Sequence, residues 1–180
     1  MTRNGLSVLL ERTGEFREAE GLAREALHLL ERQVGHPTFD IALLYRTLGG
    51  LRLAQGDHGE AFRVLRRGLE LLHGLDAGNP DEGDIRNRLA YLGFVQRSAD
   101  SLALYEEAVQ FENSRPGEGP FFITDGYEYL GWAARRRGDL DLADRLYRRA
   151  VELYRRELPE QHFYRKQAEA GLIQLGRPNR

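Results

Sequence analysis

A chain of 180 residues is long enough for one compact domain or a short stack of repeated units. Its net charge of −2 gives no general attraction to nucleic acid or to an acidic membrane. With no cysteine it cannot form disulfides, cysteine-ligated zinc sites or thiol nucleophiles, which fits a reducing, cytoplasmic setting. No stretch approaches the ~18–20 apolar residues that span a bilayer. The opening "MTRNGLSVLLERTGEF" has a short apolar run but no small-residue cleavage site, so it does not read as a signal peptide.

In chain order, apolar periodicity and turn residues predict a short helix over about 3–13. Further helices follow near 15–34, 38–55, 57–75, 81–96, 99–113, 120–137, 139–157 and 160–175. "AEGLAREALHLL" places Ala19, Leu22, Ala23, Ala26, Leu27 and Leu30 on one face of a helix. "AFRVLRRGLELL" and "LADRLYRRAVELY" behave alike. Gly-Glu at 14–15 and Gly-Asp at 56–57 and 138–139 close one helix and open the next. Proline-bearing connectors recur at "GHPTFD", "GNPDEG", "RPGEGP" and "LPEQ".

The spacing repeats. Small residues follow each glycine anchor five and twelve positions later: Ala19 and Ala26 after Gly14, Ala61 and Gly68 after Gly56, Ala143 and Ala150 after Gly138. In the middle of the chain Gln96 takes the glycine slot, followed by Ser101 and Ala108, so the anchors stand 42, 40 and 42 residues apart. Each helix pair is too thin to bury its apolar face alone, and stacking neighbours would bury it.

These residues resemble the tetratricopeptide repeat, whose pattern asks for an aromatic, Leu-Gly, then Ala, an aromatic and Ala. Tyr127, Leu130, Gly131, Ala143, Tyr147 and Ala150 fit all six positions. Tyr45, Leu48, Gly49, Ala61 and Leu65 fit nearly as well, with Gly68 in the last slot. The third repeat departs: its Leu92-Gly93 falls four residues later than Ala108 predicts. Either Leu89-Ala90 fills those slots or the turn is irregular. The long period looks like that of kinesin light chain and related bacterial arrays.

The resemblance implies an all-α right-handed superhelix spanning 1–180 as one domain. Its repeats would cover about 1–35, 36–78, 79–117 and 118–158, with a terminal helix at 159–176. It also implies a non-catalytic scaffold or adaptor, in which the first helix of each pair lines a groove for a peptide or protein segment. The alternative is a regulatory domain that senses a signalling peptide as part of a larger regulator.

Family groove positions map onto Asp125, Glu128, Trp132, Arg135 and Arg136 in the fourth repeat. In the second they map onto Leu43, Arg46, Gly50, Leu53 and Ala54. In the third they fall on Gly83, Arg86, Ala90, Gly93 and Phe94, and in the last helix on Arg165, Ala168, Leu172 and Leu175. An Arg ridge (Arg46, Arg86, Arg135, Arg165) beside Trp132 would suit an acidic segment or a free C-terminus carrying one apolar side chain. The Lys/Asn carboxylate clamp of chaperone-binding repeats is not expected: Asn4 fits a first slot, but Thr47 and Gly83 stand in later ones. The apolar "LSVLL" at 6–10 offers a surface for a homodimer through the N-terminal repeat.

No catalytic signature is present. The five histidines (His28, His36, His58, His73, His162) show no metal-ligand spacing and mostly lie near turns, as ordinary surface residues do. "DAGNPDEGD" lacks the ligand order of a calcium loop and reads as a connector with a helix cap. No cofactor, metal or nucleic-acid partner is expected.

Overall fold

The structure is a computed structural model that describes residues 15–77, 79, 81–114 and 127–176. Asn4, the 6–10 run, Gly14 and Asp125 lie outside these, as does the short first helix. Among the described residues all regular structure is helical. The helices are α1 (Phe16–Val34), α2 (Phe39–Ala54), α3 (His58–Leu75), α4 (Asp81–Val95), α5 (Ser101–Ser114), α6 (Tyr127–Arg137), α7 (Leu140–Glu157) and α8 (Phe163–Gln174). No described helix is long and apolar enough to cross a membrane. The chain divides into two compact units, Met1–Ile85 and Arg86–Arg180.

In the first unit Ala23 and Ala26 of α1 pack on Leu44 and Leu48 of α2, with Leu27, Leu30 and Val64 around them. Leu44, Leu51, Leu65 and Leu72 are fully buried, each contributing about 1.5–3 kcal/mol by leaving water. The hairpin of α2 and α3 closes on two glycines. Gly49 lies against the Leu65 side chain, and a Cβ on Gly68 would stand 3.1 Å from that of Tyr45. Small residues at these positions let the helix axes approach. The buried Glu20 carboxylate ties α1 to α2, accepting hydrogen bonds from Arg52 (2.5 Å) and Gln55 (2.7 Å).

Helix starts follow capping chemistry. Thr38 accepts the Ile41 N–H at 3.3 Å, Asp57 that of Glu60 at 3.2 Å, and Asp139 that of Leu142 at 3.2 Å. Helix ends repeat one closure. At Gly56, Asp57 N–H reaches Arg52 C=O at 2.9 Å and Gly56 N–H reaches Leu53 C=O at 3.0 Å. At Gly138 the same pair runs from Asp139 to Ala134 and from Gly138 to Arg135, at 2.9 and 3.1 Å. This closure needs a left-handed residue just past the helix.

In the middle of the chain that residue is Arg97 (φ 54°), with Ser98 bonded to Gly93 and Arg97 to Phe94. This corrects the sequence assignment of the slot to Gln96. The closures fall at 56, 97 and 138, an even period of 41 residues. What is irregular is the turn after Arg97: α5 begins only at Ser101, after a turn in which Ser98 Oγ accepts the Asp100 N–H at 3.2 Å. Gly93 still performs a close approach, a Cβ there standing 3.0 Å from Leu104 and 3.1 Å from Ser101. With the closures 41 residues apart, the buried Leu89-Ala90 fall in the slots of Leu48-Gly49 and Leu130-Gly131, and Gly93 adds a second close approach toward the end of the helix.

Candidate binding site

The second unit brings the sequence-derived residues of α6 together. Glu128, Trp132, Arg135 and Arg136 stand at i, i+4, i+7 and i+8 and so share one face. Trp132 is half-buried, its ring meeting Tyr91 edge-on at 4.9 Å between centroids. The exposed Arg136 guanidinium lies over the Trp132 ring at 5.6 Å. Behind this face the buried Arg88 guanidinium sits 5.7 Å from the Tyr129 ring and 5.8 Å from that of Tyr164, joining α4, α6 and α8.

Tyr147 of α7 sets the spacing of the two leading helices. Its ring lies against Gly171 of α8, and a Cβ on Gly131 of α6 would stand 3.2 Å from it. Burial pushes the Tyr147 phenol up to about 12, while Arg135, which hydrogen-bonds it, opposes the rise. The phenol is therefore neutral at physiological pH. Glu128 is also buried, and its Oε2 accepts a 2.5 Å hydrogen bond from the Tyr154 hydroxyl. Between α6, α7 and α8 a recess of about 130 Å³ is lined by Glu128, Trp132, Tyr147, Gln167, Ala170, Gly171 and Gln174.

Three arginines of the expected ridge are engaged by carboxylates of their own unit. In the first unit Arg46 faces Asp81 at 3.2 Å and Asp84 at 3.9 Å. Burial holds the Asp81 carboxyl above its usual range, with Arg46 opposing and Asp84 adding to the rise. In the second unit Arg86 pairs with Glu107 at 3.2 Å and lies 5.5 Å from the Phe111 ring. Arg165 pairs with Glu169 at 3.4 Å and donates to Leu158 C=O at 3.4 Å. Phe94 is half-buried, its ring 6.1 Å from Tyr105.

Seven other mapped positions carry no surface, while Leu43, Ala54 and Leu175 keep part of theirs. Ala90, Ala168 and Leu172 are wholly buried, and Gly50, Leu53, Gly83 and Gly93 are buried as well. Their place in the family pattern put them in the groove, but their burial leaves them nothing to offer a ligand. His162 also departs from expectation: it is buried, caps α8 and accepts the Tyr164 N–H at 3.4 Å. Among the described residues no His, Asp and Glu group is arranged to hold a metal ion. Sequence reasoning did not place Tyr91, Gln167 and Gln174 at the site. Polar residues on a terminal helix carry no periodic signal that separates a recess wall from a solvated face.

Comparison with known proteins bears on the fold. A profile of the tetratricopeptide repeat family matches residues 1–38 and 126–164. No curated protein matches the chain. Among solved structures, one from Podosopora anserina, described as a kinesin light chain with nearly identical TPR-like repeats, superposes with a TM-score of 0.61 at 17% identity. That alignment covers 96% of this chain and 82% of the other. BtubC (BKLC) from P. vanneervenii gives a TM-score of 0.56 at 22% identity, over 95% and 76% of the two chains. Two segments thus match the tetratricopeptide repeat profile, and the chain shares the fold of these helical arrays.

Proposed function

We propose that the protein is a non-catalytic scaffold or adaptor whose second unit holds a peptide or protein segment across α6 and α8. Tetratricopeptide repeat folds generally act as protein–protein interaction scaffolds. The observation that carries the reading is Trp132: the only tryptophan, half-exposed on a leading helix, with a recess on one side and the Arg136 guanidinium over its ring. A rigid aromatic beside a cation suits a segment that pairs an apolar side chain with a carboxylate. Arg136 is the better partner for that carboxylate, since Arg46, Arg86 and Arg165 already face carboxylates.

The test compares wild type with a Trp132→Ala/Arg136→Glu double variant in pull-downs from the source cell, read by mass spectrometry. Circular dichroism first establishes that both are folded. Partners held by wild type and lost by the variant support the reading. Partners held equally by both move the site off this face.

A further inference from the structure

A recess of about 240 Å³ lies in the first unit, between the end of α1, the start of α2 and the later half of α3. We infer that it binds a free α-amino acid with an apolar side chain, its ammonium at Glu31, its carboxylate at Arg67 and its side chain on Ile41 and Leu71. This goes beyond the adaptor reading, which rests on the second unit alone.

Two opposite charges flank one phenol. The Tyr45 hydroxyl donates to Glu31 Oε1 at 3.1 Å. Burial and the Glu31 carboxylate hold the phenol above its ordinary range, and the Arg67 guanidinium opposes the rise. The oxygen thus stands between an anion from α1 and a cation from α3, and all three side chains line the recess. Glu31 and Arg67 are exposed, so a guest can reach both. Their existing contacts leave room for it. Arg67 pairs with Glu70 at 3.4 Å, but the two side chains are 56% and 60% exposed, and exposed pairs hold little. A carboxylate offers about four acceptor positions and a guanidinium about five donors, so Glu31 and Arg67 can serve a guest beside Tyr45 and Glu70.

The pair of charges selects the guest. A cation meets Glu31 with Arg67 beside it, and an anion meets Arg67 with Glu31 beside it; each takes one attraction and one repulsion. A guest with both charges close together takes two attractions, and the head of an α-amino acid is such a guest. His36 also lines the recess, with Nδ1 at 3.1 Å from Pro37 C=O. The floor is apolar: Ile41 and Leu71 are 5% and 8% exposed and line the same space. A side chain laid there takes apolar surface out of water. The volume falls below the ~300–1,000 Å³ typical of sites for drug-sized ligands, which suits a guest of one residue.

The test uses the ¹⁵N-labelled full chain at neutral pH, with the Ile41 amide as reporter. The probes are leucine, leucinamide, N-acetyl-leucine, N-acetyl-leucine methylamide and glycine. Leucinamide lacks the carboxylate, N-acetyl-leucine the ammonium, the methylamide both charges, and glycine the side chain. The expected result is a saturable shift with leucine and binding about tenfold weaker, or less, for each of the others. Glu31→Gln and Arg67→Gln, both at exposed positions, should each weaken leucine about tenfold. Glu31→Gln should leave N-acetyl-leucine no weaker than in wild type, which a damaged fold would not do.

Glycine binding as well as leucine would overturn the inference by removing the apolar seat. The methylamide binding as well as leucine would overturn it in favour of the backbone of a peptide. Equal leucine binding by wild type and both variants, or no saturable shift up to the solubility limit of leucine, would overturn it outright.

Discussion

The hydroxyl of Tyr154 on α7 donates a 2.5 Å hydrogen bond to the buried carboxylate of Glu128 on α6. A hydrogen bond to an ionised group contributes about 1.5–3 kcal/mol, and a buried acceptor that loses its donor costs a similar amount. Tyr154→Phe keeps the ring and removes the donor. It should lower unfolding stability by about 2 kcal/mol. Tyr154→Phe combined with Glu128→Gln should lose less than the two single changes added together, because the neutral amide no longer needs a charge-stabilising donor. Urea denaturation of the four proteins closes the cycle; additive losses would show that the two groups are not coupled.

Three of the left-handed closures give a paired prediction. Gly56 and Gly138 hold φ of 79° and 88° without a side-chain penalty, whereas Arg97 holds 54° with one. A non-glycine residue in this region costs about 1–2 kcal/mol. Arg97→Gly should therefore raise stability by about 1 kcal/mol, although it removes a side chain from an exposed position. Gly138→Ala should lower it by about as much or more. Thermal melting of both variants checks the pair, and a loss on Arg97→Gly would mean that its side chain outweighs the backbone strain.

These closures also show what was legible in the sequence. The helical hairpins were, because Ala19, Ala23 and Ala26, and likewise Leu65 and Gly68, recur at helical spacing and are buried. The even period of 41 was not. Glycine usually marks a left-handed cap, and nothing in the residue type of Arg97 announces that it takes the same conformation. The face of α6 was legible because Trp132, Arg135 and Arg136 are large residues on a helix whose alanines turn inward. The polar interior was not: Glu82, Asp84, Asn87 and Arg88 of α4 are polar or charged, yet all four are buried. Hydrophobic periodicity cannot reveal polar and charged residues that enter a core. The start of α8 moved for a similar reason. Pro159 signals a helix soon after it, but the His162 N–H bonds back to Pro159 C=O at 3.0 Å and holds an extra turn before Phe163.

Glycines within helices separate local propensity from packing. Gly21 of α1 is exposed, with nothing near the place a Cβ would occupy. Gly21→Ala should stabilise the protein by about 0.5–1 kcal/mol through helix propensity. Gly171 of α8 stands against the Tyr147 ring, which is itself fixed by Gly131 on the other side. Gly171→Ala gains the same propensity and forces the ring or the helix aside. Overpacking of about 1–3 kcal/mol should outweigh the gain. Opposite signs in chemical denaturation support this account; a stabilising Gly171→Ala would mean that α8 shifts freely on α7.

The phenol of Tyr147 gives the protein a defined alkaline limit. An unfolded tyrosine ionises near 10, whereas the buried Tyr147 phenol is pushed up to about 12, as is that of Tyr105, where Asp139 adds to the effect of burial. Burial therefore disfavours the phenolate in the folded state. A group whose folded pKa is raised contributes stability that is fully present below its unfolded pKa and is lost as pH rises through the folded value. Stability from these two residues should hold constant up to about pH 10 and fall steeply between about 10 and 12. Tyr147→Phe should be less stable at neutral pH, since Arg135 loses its acceptor, and should show a shallower fall above pH 10. Midpoints of urea denaturation measured from pH 8 to 12 test both parts. An unchanged slope in the variant would assign the alkaline loss to Tyr105 and leave Tyr147 accessible to hydroxide in the folded state.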